Sequence, residues 1–339
     1  MSFTQVFNAF IQLGKHLKET NGADASLLQK VYAENPWFTH QNVELALQGI
    51  AHYLQEDTLH EIAKEYKLSE NWAKTPQRVG ILAAGNIPGV GFHDLLCVLL
   101  SGHLAYVKLS SQDQTLMQYL IQTWSQYLPS PTDSPITLTG SMREVEALIA
   151  TGSDNTAQHF AYYFKDKPCI IRSNRTSCAV LNGRETASEL QALGKDIFQY
   201  FGMGCRSVSK LFVPQGYDFT PLLDELSSWQ DLLNHTKYAN NYHYQRAVLL
   251  VNQLPHWDNG IVLLREEQAL ASPTGVIHFE LYKDMADLQA KISLQSSKIQ
   301  CMVAQQAWFP QSLPFGTAQM PNFLDFADGV DTLVFLQSL

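Results

Sequence analysis

The sequence predicts an α/β chain made of two doubly wound α/β domains with a cleft between them. Three observations indicate this. The 339 residues exceed one ordinary domain, short apolar runs alternate with helical segments from Arg78 onward, and the composition is that of a folded globule. The chain is 45% hydrophobic and 16% charged, with 19 Gly and 14 Pro, which excludes a disordered or fibrous class.

Residues 2–66 carry apolar side chains at helical spacing, interrupted at Asn35-Pro36, and therefore predict a helical lead-in. After Pro76 the pattern changes to strands and helices in alternation. The predicted strands are RVGILAAG, LAYVKLS, PITLTG and IATGS, and one of the intervening helices covers SMREVEAL. Right-handed β-α crossovers predict a parallel sheet covered on both faces, with ligands at the carboxyl ends of its strands.

A second α/β unit is predicted from Cys169. It contains CIIRS, TSCAVLNG, a helix from Glu185 to about Phe201, SVSKLFVP and further apolar runs. We therefore expect a nucleotide-binding domain over residues 1–168 and a catalytic domain over residues 169–316. Residues 317–339 are expected to pack back on the protein or to lie at a subunit interface.

Charge and hydropathy exclude several classes of protein. The 32 acids and 23 bases give a net charge of −9 without a block of Lys or Arg, so no nucleic-acid partner is expected. No stretch has the pattern of a signal peptide or the length of a membrane span, which predicts a cytoplasmic protein. The five cysteines are an odd number without C-x-x-C spacing, so neither a disulfide framework nor a metal site is expected.

One cysteine lies in a setting suited to a nucleophile. The segment QYFGMGCRSVSKLFVP places Cys205 between a turn of small residues, Gly202 and Gly204, and a predicted strand. Glycines beside a thiol let other groups approach it closely. These local features also fit a packed cysteine that follows a helix C-cap.

The order of four motifs resembles the aldehyde dehydrogenase superfamily. The motifs are GNIPG with Asn86, YVKLSS with Lys108, ATGS with Gly152 and Ser153, and FGMGCRS with Cys205. Each motif is weak alone, but together they follow the family's order at predicted strand and helix ends. The segments LLREEQALASPTGVIHF and LPFGTAQMPNF are similar to the family's E-x-F-G-P and closing P-F-G segments.

The resemblance implies that Cys205 is the nucleophile. It also implies that the Asn86 side-chain amide and the Cys205 backbone N–H form an oxyanion hole for the reacting carbonyl. An asparagine two residues before Pro88 also commonly shapes a turn, so a structural role for Asn86 is the alternative.

The resemblance further implies a nicotinamide cofactor. The predicted cofactor-binding residues are Lys108, Ser110, Ser111, Gly152, Ser153 and Glu267. No acid follows Lys108 before Asp113, so NADPH is expected in preference to NADH. NADH is the alternative. The T-G-S turn opens a predicted helix whose N-terminal N–H groups would face the pyrophosphate. Glu267 would lie near the nicotinamide ribose, although a solvated Glu266-Glu267 pair is the alternative.

Within the superfamily, GNIPGVGFHDLLCVLLSGHLAYVKLSS and DFADGVDTL resemble the acyl-CoA reductase branch of bacterial bioluminescence (LuxC type). Hydrolysing members carry E-L-G-G-K before the cysteine helix, whereas residues 167–183 here contain no carboxylate. Without a base, a thioester on Cys205 exchanges with another thiol rather than with water. A base from elsewhere, such as Glu185 or Glu189 early on the helix that leads to the cysteine, is the alternative.

The branch resemblance implies NADPH-dependent reduction of a fatty acyl-CoA, or an acyl carrier thioester, to the aldehyde, with coenzyme A as substrate and product. An acyl-transferring enzyme or acyl carrier protein is the expected partner, and a homo-oligomer is left open. The alternatives are a hydrolysing NAD(P)-dependent aldehyde dehydrogenase, which product identity would distinguish, and a catalytically silent acyl-binding partner protein. Retention of Cys205, Asn86 and Lys108 together disfavours silence.

Overall fold

The computed structural model describes residues 1–19, 23–130, 133–152, 160, 162–305 and 308–339. The chain forms two compact units. One comprises Met1–Asn174 together with Pro321–Leu339, and the other comprises Arg175–Met320. Each unit contains a sheet whose strands are parallel, except for one antiparallel edge pair in the second unit. The predicted α/β class with parallel sheets is confirmed.

The described part of the first unit begins with four helices, as the apolar spacing predicts. They are α1 (Phe3–Glu19), α2 (Ala25–Glu34), α3 (His40–Tyr53) and α4 (Glu56–Glu65). The Asp24 carboxylate accepts the Leu27 N–H and so starts α2. The helix ends at Glu34 because Asn35 takes the extended backbone that a residue before proline prefers. The apolar faces of these helices pack into one core with the strands of this unit.

The sheet of the first unit has the order β3-β2-β1-β4-β5. Its strands are β1 (Arg78–Leu82), β2 (Leu104–Lys108), β3 (Ile136–Leu138), β4 (Ala147–Thr151) and β5 (Cys169–Arg172). All of these neighbours pair in parallel. Helix α5 (Phe92–Leu100) follows β1, and α6 (Gln114–Gln126) follows β2. The strand order changes direction at β1, which places a topological switch point between β1 and β4.

The predicted helix over residues 141–148 is wrong. Residues 141–146 form turns, and Ala147 begins β4. The Glu146 carboxylate accepts the Arg78 N–H at 2.9 Å, and Ala147 pairs with Val79 of β1. Pairing with the central strand therefore overrides the local preference for helix.

The predicted domain boundary after Pro168 is also displaced. Strand β5 pairs with β4, from Leu148 opposite Cys169 to Thr151 opposite Arg172, and so belongs to the first unit. The second unit begins at Arg175. The two apolar runs around Asn174 look alike along the chain, and strand pairing alone assigns them to different sheets.

The second unit contains a seven-stranded sheet of order β12-β11-β6-β7-β10-β9-β8. Its strands are β6 (Thr176–Val180), β7 (Val208–Pro214), β8 (Trp257–Asp258), β9 (Leu263–Glu266), β10 (Val276–Tyr282), β11 (Ile299–Ala304) and β12 (Leu313–Pro314). Its α-helices are α7 (Ala187–Phe198), α8 (Thr220–Leu226), α9 (Thr236–Val251) and α10 (Met285–Gln295). Helix α7 and the turn after it connect β6 to its neighbour β7, the central strand of the sheet.

The last residues of the chain return to the first unit through α11 (Thr332–Gln337). The Arg172 guanidinium donates to both oxygens of Asp94 on α5, at 2.8 and 2.6 Å, and to the Thr332 hydroxyl at 3.0 Å. His103 also contacts the Leu336 carbonyl at 2.9 Å. The predicted terminal segment, residues 317–339, is thus divided, because residues 317–320 stay with the second unit. None of the helices in the described ranges has the length and apolar character needed to cross a membrane.

Candidate active site

The strands of the first unit end together at one edge of their sheet. The register places Leu82 of β1 beside Lys108 of β2 and beside Ala150 of β4. Asn86 and Gly152 lie in the segments that follow β1 and β4, and Lys108 is the last residue of β2. Since doubly wound sheets bind ligands at such a switch point, the predicted residues of this unit lie at the expected edge.

The connections after β1 and β2 fit closely against each other. The Ala83 N–H donates to the Lys108 carbonyl at 3.1 Å. A Cβ atom on Gly85 would stand 2.3 Å from the Ser110 Oγ, so a glycine is required for this approach. Asn86 is the next residue, and its side chain is exposed. The turn of the predicted oxyanion donor therefore contacts the predicted cofactor-binding segment.

The Lys108 and Ser111 side chains are exposed, and Ser110 is half-buried. Lys108 makes no salt bridge with a described residue. The Ser110 Oγ accepts the Gln112 N–H at 3.2 Å, a bond that does not use its hydroxyl proton. The segment thus presents an ammonium group and two hydroxyls, which are suited to an anionic ligand.

Two acids lie near this segment, and sequence reasoning considered only one. Asp113 is 2% exposed and accepts the Gly89 N–H at 2.9 Å. Glu34 was missed. Its carboxylate accepts the N–H groups of Gln114 and Thr115, at 2.5 and 3.0 Å, across 80 or more positions of sequence. The one sequence signal for Glu34 was its position directly before Asn35-Pro36, where the helical pattern is interrupted.

Gly152 follows β4, and its N–H donates to the Arg172 carbonyl at 3.3 Å. That N–H extends the pairing of β4 with β5, so it is not one of the N–H groups expected to face a pyrophosphate. What Gly152 offers at the strand end is the absence of a side chain. Ser153 lies outside the described residues.

The turn before Cys205 has an unusual backbone. Helix α7 ends at Phe198, earlier than the predicted end at Phe201. Tyr200, Phe201 and Gly202 follow with φ of 53°, 56° and 73°, in the left-handed region. That conformation costs roughly 1–2 kcal/mol for each residue with a side chain, and burial of both rings helps to offset it. Strain of this kind concentrates at functional sites.

The closing P-F-G segment is bonded to α7. The Asp196 carboxylate, fully buried at the end of α7, accepts the N–H groups of Gly316 and Ala318, at 2.6 and 2.9 Å. Burial raises the pKa of Asp196 to about 6, although both bonds act in the opposite direction. The Gln319 side chain donates to the Ser207 hydroxyl at 3.1 Å, and that hydroxyl also accepts the Gly204 N–H at 3.2 Å. Both glycine-containing segments are therefore bonded into one network.

Ser177 of β6, which sequence reasoning missed, bonds directly to Cys205, the predicted nucleophile. Its fully buried hydroxyl donates to the Cys205 carbonyl at 3.0 Å. The same oxygen accepts the Cys301 N–H at 3.3 Å and lies 3.1 Å from the Cys301 Sγ. Ser177 therefore connects the Cys205 turn to β11, and it brings a second cysteine near the first.

The five cysteines differ in exposure. Burial raises the pKa of Cys97 and Cys169, and it raises the pKa of Cys178 to about 12, which suppresses their thiolate forms. Cys205 and Cys301 are both half-buried. Among the described residues, no group of three or more His, Cys, Asp and Glu side chains is arranged to hold a metal ion.

Glu267 follows β9 and is about a third exposed, at 34%. Its carboxylate pairs with Arg265 at 3.0 Å and accepts the Gln268 N–H at 3.0 Å. Its main-chain carbonyl accepts a hydrogen bond from Lys210, a fully buried lysine that sequence reasoning missed and that also pairs with Glu280 at 3.1 Å. The bond from Lys210 thus fixes the Glu267 backbone, and the ion pair with Arg265 uses part of the hydrogen-bonding capacity of the Glu267 carboxylate.

The two alternative bases are engaged at the start of α7. Glu185 accepts the N–H groups of Asn182 and Gly183 at 2.5 and 3.3 Å. Glu189 closes a capping box with Thr186. Glu189 therefore stabilises the N-terminal end of α7 and Glu185 stabilises the turn before it, whereas Cys205 follows the C-terminal end of the helix.

Comparison with known proteins agrees with this architecture. Similar solved structures include an NAD-dependent aldehyde dehydrogenase from Sinorhizobium meliloti, with a TM-score of 0.68 and 10% identity over 92% of this chain and 72% of that one. An NADP-dependent enzyme from E. coli has a TM-score of 0.67 and 12% identity, covering 94% and 76% of the two chains. A glyceraldehyde-3-phosphate dehydrogenase from Methanocaldococcus jannaschii, complexed with NADP, has a TM-score of 0.63 and 13% identity, covering 94% of this chain and 79% of that one.

No protein-family model matches the chain, and the search of curated proteins gives no match. The structural likeness covers nearly the whole chain at low sequence identity. The chain therefore has the aldehyde dehydrogenase fold, as the resemblance of its motifs predicts.

Proposed function

We propose that the chain is an acyl-CoA reductase that converts a fatty acyl thioester into the aldehyde through an acyl-cysteine on Cys205. The placement of carboxylates carries this proposal. Glu189 caps the start of α7, Glu185 is bonded to the turn just before it, and the 12 residues of the helix span roughly 18 Å. A general base has to reach the attacking water directly or through one further water. From this length of helix we infer that neither acid reaches a water at Cys205, so a thiol is the better acyl acceptor.

In the acylation step, the Cys205 thiolate attacks the acyl carbonyl and forms the new C–S bond. The bond to coenzyme A then breaks, and coenzyme A leaves as its thiol after taking up a proton. The resemblance implies that the Cys205 N–H and the Asn86 amide would stabilise the negative charge on the carbonyl oxygen, each typically contributing about a hundredfold in rate. Ser177 holds the Cys205 carbonyl and thereby orients the peptide groups around the thiol.

A nicotinamide dinucleotide, when bound, would supply a hydride to the acyl-cysteine, and the products would be the aldehyde and the Cys205 thiolate. The residues fit such a ligand, because Gly152 leaves its strand end without a side chain and Lys108 presents an exposed ammonium group. The proposed contacts are Lys108, Ser110, Ser111, Gly152, Ser153 and Glu267. Asp113 is buried, and the Glu34 carboxylate is bonded to the N–H groups of Gln114 and Thr115, which together support NADPH over NADH.

A hydrolysing aldehyde dehydrogenase is the second candidate, favoured by the names of the structural neighbours. It requires a base outside residues 167–183 and other than the two acids of α7. We further propose acyl-CoA or an acyl carrier protein as the donor, with an acyl-transferring enzyme as a partner.

The test is incubation with acyl-CoAs of increasing chain length and NADPH, following aldehyde and free coenzyme A together. We expect equal amounts of both products, none with Cys205→Ala, and full activity with Cys301→Ala, the matched half-buried thiol. Release of fatty acid in place of aldehyde would identify the hydrolysing enzyme. The absence of any turnover would favour a silent acyl-binding protein.

A further inference from the structure

Asp113 directly precedes α6 but does not cap it. An aspartate in this position normally accepts an N–H from the first turn of its helix. Here the side chain makes no such bond. The N–H groups of Gln114 and Thr115 are instead taken by Glu34, at 2.5 and 3.0 Å. Glu34, the last residue of α2, therefore caps α6, and the Asp113 carboxyl is available for a different contact.

That contact is with the turn that follows β1. The Asp113 Oδ2 accepts the Gly89 N–H at 2.9 Å. Gly89 has φ of +68°, a conformation that side-chain-bearing residues rarely adopt. The bond therefore fixes the turn at the point where its backbone is least restrained by side chains.

The carboxyl reaches this contact at a cost. It is 2% exposed, and its second oxygen, Oδ1, has no hydrogen-bond partner among the described residues. Burial raises the pKa of Asp113 to about 8, with the nearby Glu34 adding to the effect. A buried acid with half its hydrogen-bonding capacity unused is unfavourable for stability unless its position serves another purpose.

The two segments that Asp113 joins carry the predicted ligand-binding groups. Asn86 stands on the first, three residues before Gly89, and Lys108 begins the second. The Asp113 N–H also donates to the Ser110 carbonyl at 3.1 Å, which ties the carboxyl to the second segment from its own side. We infer that Asp113 is a positioning residue that holds the Asn86 turn against the Lys108 segment. The effect on cofactor and substrate rests on the proposed function.

The experiment compares Asp113→Ala and Asp113→Asn with Asp24→Ala, a matched N-cap aspartate of the same unit that does bond to its own helix, at 2.7 Å. Three quantities are measured: hydrogen exchange at the Gly89 amide, the Kd for NADPH by fluorescence, and kcat and KM for acyl-CoA reduction. The first two need no activity. If the wild-type protein binds NADPH but makes no aldehyde, the proposed reaction fails while the positioning role is still tested.

Asp113→Ala is expected to expose the Gly89 amide to exchange, weaken NADPH about tenfold and lower kcat, since a displacement of about 1 Å can cost roughly a hundredfold in rate. Asp113→Asn keeps an acceptor for Gly89 and should stay within about threefold of wild type in all three measurements. Asp24→Ala should change none of them. A folded Asp113→Ala protein with rapid Gly89 exchange but wild-type Kd and kcat overturns the inference.

Should Asp113→Ala fail to fold, Gly85→Ala perturbs the packing of the same two segments at a different contact, because its new Cβ would stand 2.3 Å from the Ser110 Oγ. It should weaken NADPH and lower kcat in the same way. Wild-type binding and turnover in folded Gly85→Ala protein would overturn the inference.

Discussion

Replacing Ser177 with alanine removes the hydroxyl that connects Cys205 to β11. Ser177 is fully buried, and its hydroxyl bonds to two main-chain groups that lose it in the variant, the Cys205 carbonyl and the Cys301 N–H. A buried polar group that loses its partner costs about 1–3 kcal/mol. Since the surrounding structure relaxes in part, we expect the free energy of unfolding to fall by about 2 kcal/mol in total. We also expect acylation of Cys205 to slow about tenfold, equivalent to about 1.4 kcal/mol, because the nucleophile's peptide groups lose their orientation.

Two assays separate these effects. Urea unfolding measures the stability, and mass spectrometry after mixing with acyl-CoA in the absence of nicotinamide measures the rate of adduct formation. Ser209→Ala is the matched control. The Ser209 hydroxyl also bonds to a main-chain carbonyl, that of Leu270 at 2.8 Å, and its other bond is to Thr176 and not to Cys205. It should lose stability and keep its acylation rate, and Ser177→Thr should restore both properties. Equal acylation by Ser177→Ala and wild type, or an equal loss in Ser209→Ala, would refute the positioning role.

Three further outcomes are expected. Lys108→Met should weaken NADPH about tenfold more than NADH in fluorescence titrations, because an ammonium group facing a 2′-phosphate is lost; an equal loss for both cofactors would exclude that contact. Isolated acyl-Cys205 enzyme should persist in water for longer than a turnover and be discharged by coenzyme A, whereas rapid appearance of free fatty acid would reveal a base, since a positioned base contributes about a hundredfold or more. Asp196 has its pKa raised from 3.8 to about 6, so its contribution to stability is fully present below pH 3.8 and is lost as the pH rises toward 6. Asp196→Asn should flatten the unfolding free energy over that interval, and an unchanged pH dependence would contradict the assignment.

Local patterns were sufficient for the class of fold and for the places of the predicted residues along the chain. Strand and helix alternate with different periods, and glycines and prolines mark the turns, so the β-α order from Arg78 is visible in the sequence itself. Parallel strands end at a common edge, which is why Asn86, Lys108 and Gly152 could be expected together before their contacts were known. The turn at Cys205 was likewise marked by its flanking glycines.

Tertiary structure alone decided which strand joins which sheet and which polar groups meet. The runs at Cys169 and Thr176 have similar composition, and only pairing with β4 or β11 separates them. Glu34 at α6, Ser177 at Cys205 and the burial of Asp113 each depend on residues distant in sequence or on the packing of whole elements. Hydrogen bonds of this kind produce no repeating pattern in the sequence, because one side chain bonds to one backbone group wherever the fold brings the two within about 3 Å.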